Sequence, residues 1–127
     1  MAHGLLQGVE GVFIPVSDPE LSAAWYIEKL GCKAIFLEPE AAILRLSAQS
    51  PTVLGLVKAR GELPVAFPDN DYDVGKFFNF LVDDFDRVRQ TLEERDVPMG
   101  PVGGEGAFRY FTFFDPDGNP LGVCQSD

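Results

Sequence analysis

The chain has 127 residues, 46% of them hydrophobic, with 20 acidic against 10 basic side chains and a formal charge of −10. That length suits one compact domain burying roughly two thirds of its unfolded surface, and no run reaches the roughly 18 apolar residues of a membrane span. The charge disfavours nucleic acid as a partner, and the opening MAHGLLQGVEGVF lacks the basic and apolar regions of a secretory signal, so a soluble cytoplasmic protein with no membrane partner is expected.

VEGVFIPV (9–16), β-branched and aromatic, predicts a first strand. SDPELSAAWYIEKLG (17–31) predicts a helix: Ser17 and Glu20 have capping-box spacing, Pro19 suits the first turn and Gly31 supplies a left-handed stop. Leu21, Ala24, Trp25 and Leu30 form its expected buried stripe. KAIFLE (33–38), AAILRLSA (41–48) and TVLGLVK (52–58), separated by Glu-Pro and Ser-Pro breaks, predict a three-stranded meander. RGELPVAFPDNDYDVG (60–75), without periodicity and punctuated by proline and glycine, reads as a linker or lid. KFFNFLV (76–82) then predicts a strand, and DDFDRVRQTLEERD (83–96) a helix with Phe85, Val88 and Leu92 at i, i+3 and i+7. Strands near 98–102, 107–114 and 120–125 complete the chain.

The order βαβββ therefore occurs twice, in modules of about 9–59 and 76–125 joined by 60–75, within a single domain of α+β class. An offset of 66 residues carries Val16, Asp18, Glu20 and Glu28 onto Val82, Asp84, Asp86 and Glu94, repeating the strand-to-helix corner. Near the end, FFDPDGNPLG reads as a hairpin whose Asp115, Pro116, Asp117 and Gly118 suit a turn.

The paired βαβββ order, the corner followed by WYIEKLG and the terminal FFDPDGNPLG together resemble the vicinal oxygen chelate superfamily, which contains glyoxalase I, bleomycin resistance proteins and extradiol dioxygenases. The resemblance runs from about Val9 to Gln125. It implies two modules forming a concave mixed or antiparallel sheet, paired in a homodimer. In metal-dependent members each module supplies two inward ligands, usually His, Glu or Gln, from its first and last strands. Counting back from Asp18 places one such position at Gly11, and counting through DPDGNPL places another at Gly122. The repeat offset then gives Phe77 and Leu56. None of the four carries a donor, whereas a catalytic divalent site generally needs three, so neither a metal nor another cofactor is expected. Their neighbours add only Glu10 and Lys76, and the single histidine, His3, lies in an N-terminal stretch expected to fray.

Alternation along strands adds Phe13, Leu54, Asn79, Leu81 and Cys124 to the same face. A hairpin loop of four or six residues would pair Gly122 with an odd-numbered residue and so add Arg109, Phe111 and Phe113. The candidate ligand-binding residues are Phe13, Leu56, Phe77, Asn79, Arg109, Phe111, Phe113 and Cys124, an aromatic wall readable as a pocket or as packed core. Arg109 is expected either to meet an anionic or carbonyl group or to pair with a carboxylate. Cys32 and Cys124, far apart and without a CxxC, read as buried free thiols. One histidine excludes most Ser-His and Cys-His schemes, and no glycine-rich phosphate loop occurs. No catalytic residue is assigned.

The resemblance thus implies a metal-free binder of a small aromatic or cationic molecule, such as an antibiotic or metabolite held by sequestration. The alternatives are a lyase, isomerase or dioxygenase-like enzyme of the same superfamily with a metal-free or unusually ligated site, and a protein-interaction module. Whether the chain is an enzyme is left open by its residues.

Overall fold

The computed structural model describes residues 4–125, so His3 lies outside the described residues. The chain divides into two units, Met1–Ala59 and Arg60–Asp127. The first holds β1 (Gly11–Val16), α1 (Pro19–Leu30), β2 (Lys33–Leu37), β3 (Ala41–Arg45) and β4 (Val53–Lys58). Its four strands lie in the order β1-β4-β3-β2, an antiparallel meander with β1 added parallel to β4. The second holds β5 (Asn79–Leu81), α2 (Phe85–Glu94), β6 (Gly103–Glu105), β7 (Phe108–Phe114) and β8 (Pro120–Gln125), in the order β5-β8-β7-β6, with β5 parallel to β8. The α+β class and the two βαβββ modules are those expected, and both sheets are mixed.

Each helix starts on an aspartate. Asp18, with extended backbone, accepts the Leu21 N–H at 3.2 Å, and Asp84 accepts the Arg87 N–H at 3.2 Å, so the first-turn donors are satisfied in the same way 66 residues apart. The cap is therefore Asp18 rather than the expected Ser17, because Pro19 occupies the first helical position and carries no N–H to satisfy. Gly31 ends α1 in the left-handed region at φ 78°, its N–H bonded to Ile27 O at 3.1 Å.

The buried face of α1 is Pro19, Ser22, Ala23 and Tyr26, a run at i, i+3, i+4 and i+7, and Leu21 is 71% exposed. The expected stripe of Leu21, Ala24, Trp25 and Leu30 followed size. The packed stripe instead places two small residues where the helix crosses the sheet and one large ring, Tyr26, beside them. Trp25 is half-buried and meets Tyr26 edge-on at 5.1 Å. Beneath α1 the first core is Ile14 and Val16 of β1, Ala42 and Leu44 of β3, and Leu54 and Leu56 of β4. The second core joins Phe85 and Leu92 of α2 to Phe111 and Phe113 of β7 and Leu121 and Val123 of β8. There Phe85 and Phe111 meet edge-on, 5.3 Å between centroids. Burying each such side chain contributes about 1.5–3 kcal/mol.

The expected strand at 98–102 reduces to one bridge, Met99 to Phe113, followed by the short β6. Residues 60–75 contain neither helix nor strand. Asn70 organises part of them, its Oδ1 accepting from the Tyr72 and Val74 N–H groups and its Nδ2 donating to Pro68 O and Val74 O. Cys32 is buried and free, and burial pushes its thiol up to about 11; Cys124 is free but only half-buried. No helix among the described residues is long and apolar enough to cross a membrane.

Candidate functional site

Each sheet has one face turned to its helix and one that its own module leaves open. In β1, Ile14 and Val16 turn to the helix, which places Gly11, Phe13 and Pro15 on the open face. In β4 the buried Leu54 and Leu56 flank Gly55, which therefore faces the same way as its parallel partner Phe13. The Phe13 ring lies across this glycine: a Cβ at position 55 would sit 2.8 Å from Phe13 Cδ1. Phe13 is 78% exposed.

The second module repeats this layout with different chemistry. Leu121 and Val123 turn to α2, so Gly122 faces the open side opposite its parallel partner Asn79. Gly122 is nonetheless buried, because the Asn79 carboxamide and the Lys76 stem lie over it; a methyl there would overlap Asn79 Oδ1 and Lys76 Cδ and Cε. The Lys76 ammonium ends 5.6 Å from the centroid of Tyr110, which shares the face through its pairing with Cys124. Leu81, 82% exposed, and Thr112, paired with Gly122, complete the surface.

Phe13, Asn79 and Cys124 thus stand on open faces, as the alternation of the sequence suggests. Leu56, Phe111 and Phe113 are fully buried on the helix-facing sides, and Arg109 points to the helix as well. Leu54 is buried with Leu56. Two one-residue slips account for this. First, the closing hairpin has a five-residue loop, 115–119, where four or six were expected, so Gly122 pairs with Thr112 and the odd-numbered residues of β7 face the helix. The Asp115 carboxylate sets that length by accepting the Asp117 and Asn119 N–H groups at 3.0 and 2.9 Å and the Asn119 amide at 2.9 Å, while Gly118 takes φ 79°. Second, the 66-residue offset holds for the helix caps, but β4 and β8 (Val53–Lys58 and Pro120–Gln125) are 67 residues apart. The counterpart of Gly122 is therefore Gly55 and not Leu56.

Phe77 precedes β5 and is exposed, its ring 5.0 Å from that of Phe67. Arg109 pairs with a carboxylate: its guanidinium meets both Asp86 oxygens, at 3.0 and 3.3 Å, and stacks 4.3 Å over Phe85. Lys76, Tyr110 and Thr112 were missed as site residues. Lys76 is visible in the sequence as a donor beside Phe77, but the other two depend on the loop length.

With the corrected register, the positions at which the resemblance places metal ligands are Gly11, Gly55, Phe77 and Gly122, and none offers a side-chain donor. Among the described residues no three His, Cys, Asp or Glu come together to hold a metal ion. The residues present do not fit such a site.

The model of the Glyoxalase/Bleomycin resistance protein/Dioxygenase superfamily matches residues 8–123, and the chain belongs to that superfamily. No curated protein matches the sequence significantly. Among solved structures, TnmS3, an antibiotic binding protein from Streptomyces sp. CB03234, is similar at 25% identity and TM-score 0.76, covering 98% of this chain and 100% of that one. A glyoxalase/bleomycin resistance protein from the same Streptomyces is similar at 24% identity and TM-score 0.70, covering 93% of this chain and 100% of that one. Lactoylglutathione lyase from Agrobacterium tumefaciens shares the fold at 18% identity and TM-score 0.71, covering 95% of each chain.

Proposed function

We propose that the protein binds a small, partly aromatic molecule noncovalently on the open faces of its sheets and acts by holding it rather than transforming it. The observation that carries this reading is Phe13, a ring left 78% exposed and laid across a glycine on a strand face that its module does not cover. An apolar ring so placed costs free energy unless something covers it. Each module is taken by itself: Phe13 is the proposed contact on the first, with Leu56 supporting it from the helix-facing side, and Phe77, Asn79 and Cys124 are those on the second, supported by Arg109, Phe111 and Phe113. The neighbour TnmS3, an antibiotic binding protein, supports a small-molecule ligand.

A thermal-shift screen of flat aromatic compounds, antibiotics among them, tests this. A ligand at one hundred times its dissociation constant stabilises the native state by about 2.7 kcal/mol. Phe13→Ala is expected to reduce that shift without unfolding the protein, since the ring packs in no core. A hit retained in full by both Phe13→Ala and Asn79→Ala would sink the reading.

The same reading includes a homodimer, which would cover the exposed Ile35, Phe36 and Leu37 of β2, and a reducing compartment such as the cytoplasm, which suits two free thiols. Light scattering giving a monomer at tens of micromolar would remove the dimer from it.

A further inference from the structure

The cluster over Gly122 is polar where its counterpart over Gly55 is a bare ring. Lysine normally extends its ammonium into water, yet the Lys76 stem is folded back across the sheet, with Cδ and Cε against Gly122 and Nζ at the Tyr110 ring. In a chain where acids outnumber bases 20 to 10, this ammonium makes no ion pair or hydrogen bond with any described residue. Asn79 stands beside it on the same face, and its carboxamide likewise has no hydrogen-bond partner among the described residues. The Tyr110 ring lies beside the ammonium, with its hydroxyl end over Gly103 of β6. Around them lie Leu81 and Cys124; among the described residues no carboxylate stands on this face of β5, β7 or β8, and the one acid on the sheet's open face is Glu105 of β6, opposite Phe108. The arrangement thus supplies donors and one positive charge next to apolar surface, with the sheet's one open-face acid, Glu105, two strands away from Gly122.

We propose that Lys76 and Asn79, with the Tyr110 ring beside them, form a subsite for an anionic oxygen, so that the ligand is an aromatic carboxylate or phenolate rather than a cation. This rests on the reading that the open faces bind a small aromatic molecule, and it narrows that molecule's chemistry. The ammonium attracts the anion and donates to it, and the neighbouring apolar side chains strengthen the attraction by excluding water. Gly122 is part of the device, because any side chain there would displace both Lys76 and Asn79. An organic cation would meet the ammonium at the same spot and be repelled.

The test compares three matched probes on the full-length protein by calorimetry: 2-naphthoate, 2-naphthamide and 2-naphthylmethylammonium. Wild type is expected to bind naphthoate about tenfold more tightly than naphthamide, with the preference shrinking as salt rises. Lys76→Met, which keeps the stem and removes the charge, is expected to abolish the preference by weakening naphthoate far more than naphthamide; Lys76→Arg retains it. Equal binding of naphthoate and naphthamide by wild type, or a preference unchanged in Lys76→Met, overturns this subsite and leaves the broader binding reading standing. Tightest binding of the ammonium probe does the same. Failure of all three probes to bind counts against both. Should Lys76→Met lower the melting temperature with selectivity intact, Lys76 is a clamp for Tyr110 and the proposal is wrong.

Discussion

The two modules share strand order, helix caps and a glycine at the same place on the last strand, yet their open faces differ. Over Gly55 lies a single aromatic ring, and over Gly122 lie a lysine stem and a carboxamide. What is repeated is what the backbone needs: an aspartate to cap each helix, apolar residues beneath it, and a parallel pair of first and last strands. What differs faces away from the helix. Side chains there are not required by the core and are free to take up separate chemistry, so the scaffold and the site can be changed independently.

That division predicts a steep contrast between faces. Phe111→Ala empties a fully buried position against Phe85 and is expected to cost about 3–5 kcal/mol in urea unfolding. Phe13→Ala, on the open face, should cost under about 1 kcal/mol. Similar losses at both sites would break the comparison. Gly104→Ala tests the backbone of the second module: at φ 100° and with Phe108 O in the way of a Cβ, it should destabilise by about 1–3 kcal/mol. The caps sharpen the likeness between modules. Asp18→Ala and Asp84→Ala are expected to cost about 1 kcal/mol each in thermal unfolding, and a much larger loss at one would show that the repeat is not energetic. Asp86→Asn, which weakens a largely exposed ion pair, should change stability least, by about 0–1 kcal/mol.

The thiols give a pH-dependent contrast. Because the folded Cys32 thiol is raised from 9.0 to about 11, the fold favours its protonated form. The resulting stabilisation is complete below about pH 9 and is lost as pH rises towards 11. In a thiol-labelling experiment at pH 8, Cys124 should react much faster than Cys32, and equal rates would contradict the burial that separates them.

Local signals were legible in the sequence because their causes are local. Asp18 and Pro19 start a helix, Gly31 stops one, and Glu-Pro and Ser-Pro divide the meander wherever the chain goes next. The face of a strand is another matter. Whether Phe111 or Tyr110 points to the helix depends on one residue in the hairpin loop, and that count is set by hydrogen bonds to Asp115 which no spacing rule specifies. Leu56 was displaced by the single residue that separates an offset of 66 from 67. The α1 stripe was misjudged for a third reason: Ser22 and Ala23 are buried because they are small, and hydropathy favours Leu21. The missing metal donors were readable by residue type alone, since Leu56 and Gly55 are equally unable to bind a metal.

The five-residue loop between β7 and β8 works as a reading frame for the strand before it. Surface loops ordinarily tolerate gain or loss of a residue. A deletion here that kept the β8 pairing would turn Tyr110 and Thr112 towards α2 and bring Phe111 and Phe113 out into water. Length change at this turn would act as a frameshift in three dimensions, altering every contact of β7 at once. Descendants of this chain are therefore expected to vary freely in the identity of the exposed Pro116 while keeping the number of residues from Asp115 to Asn119.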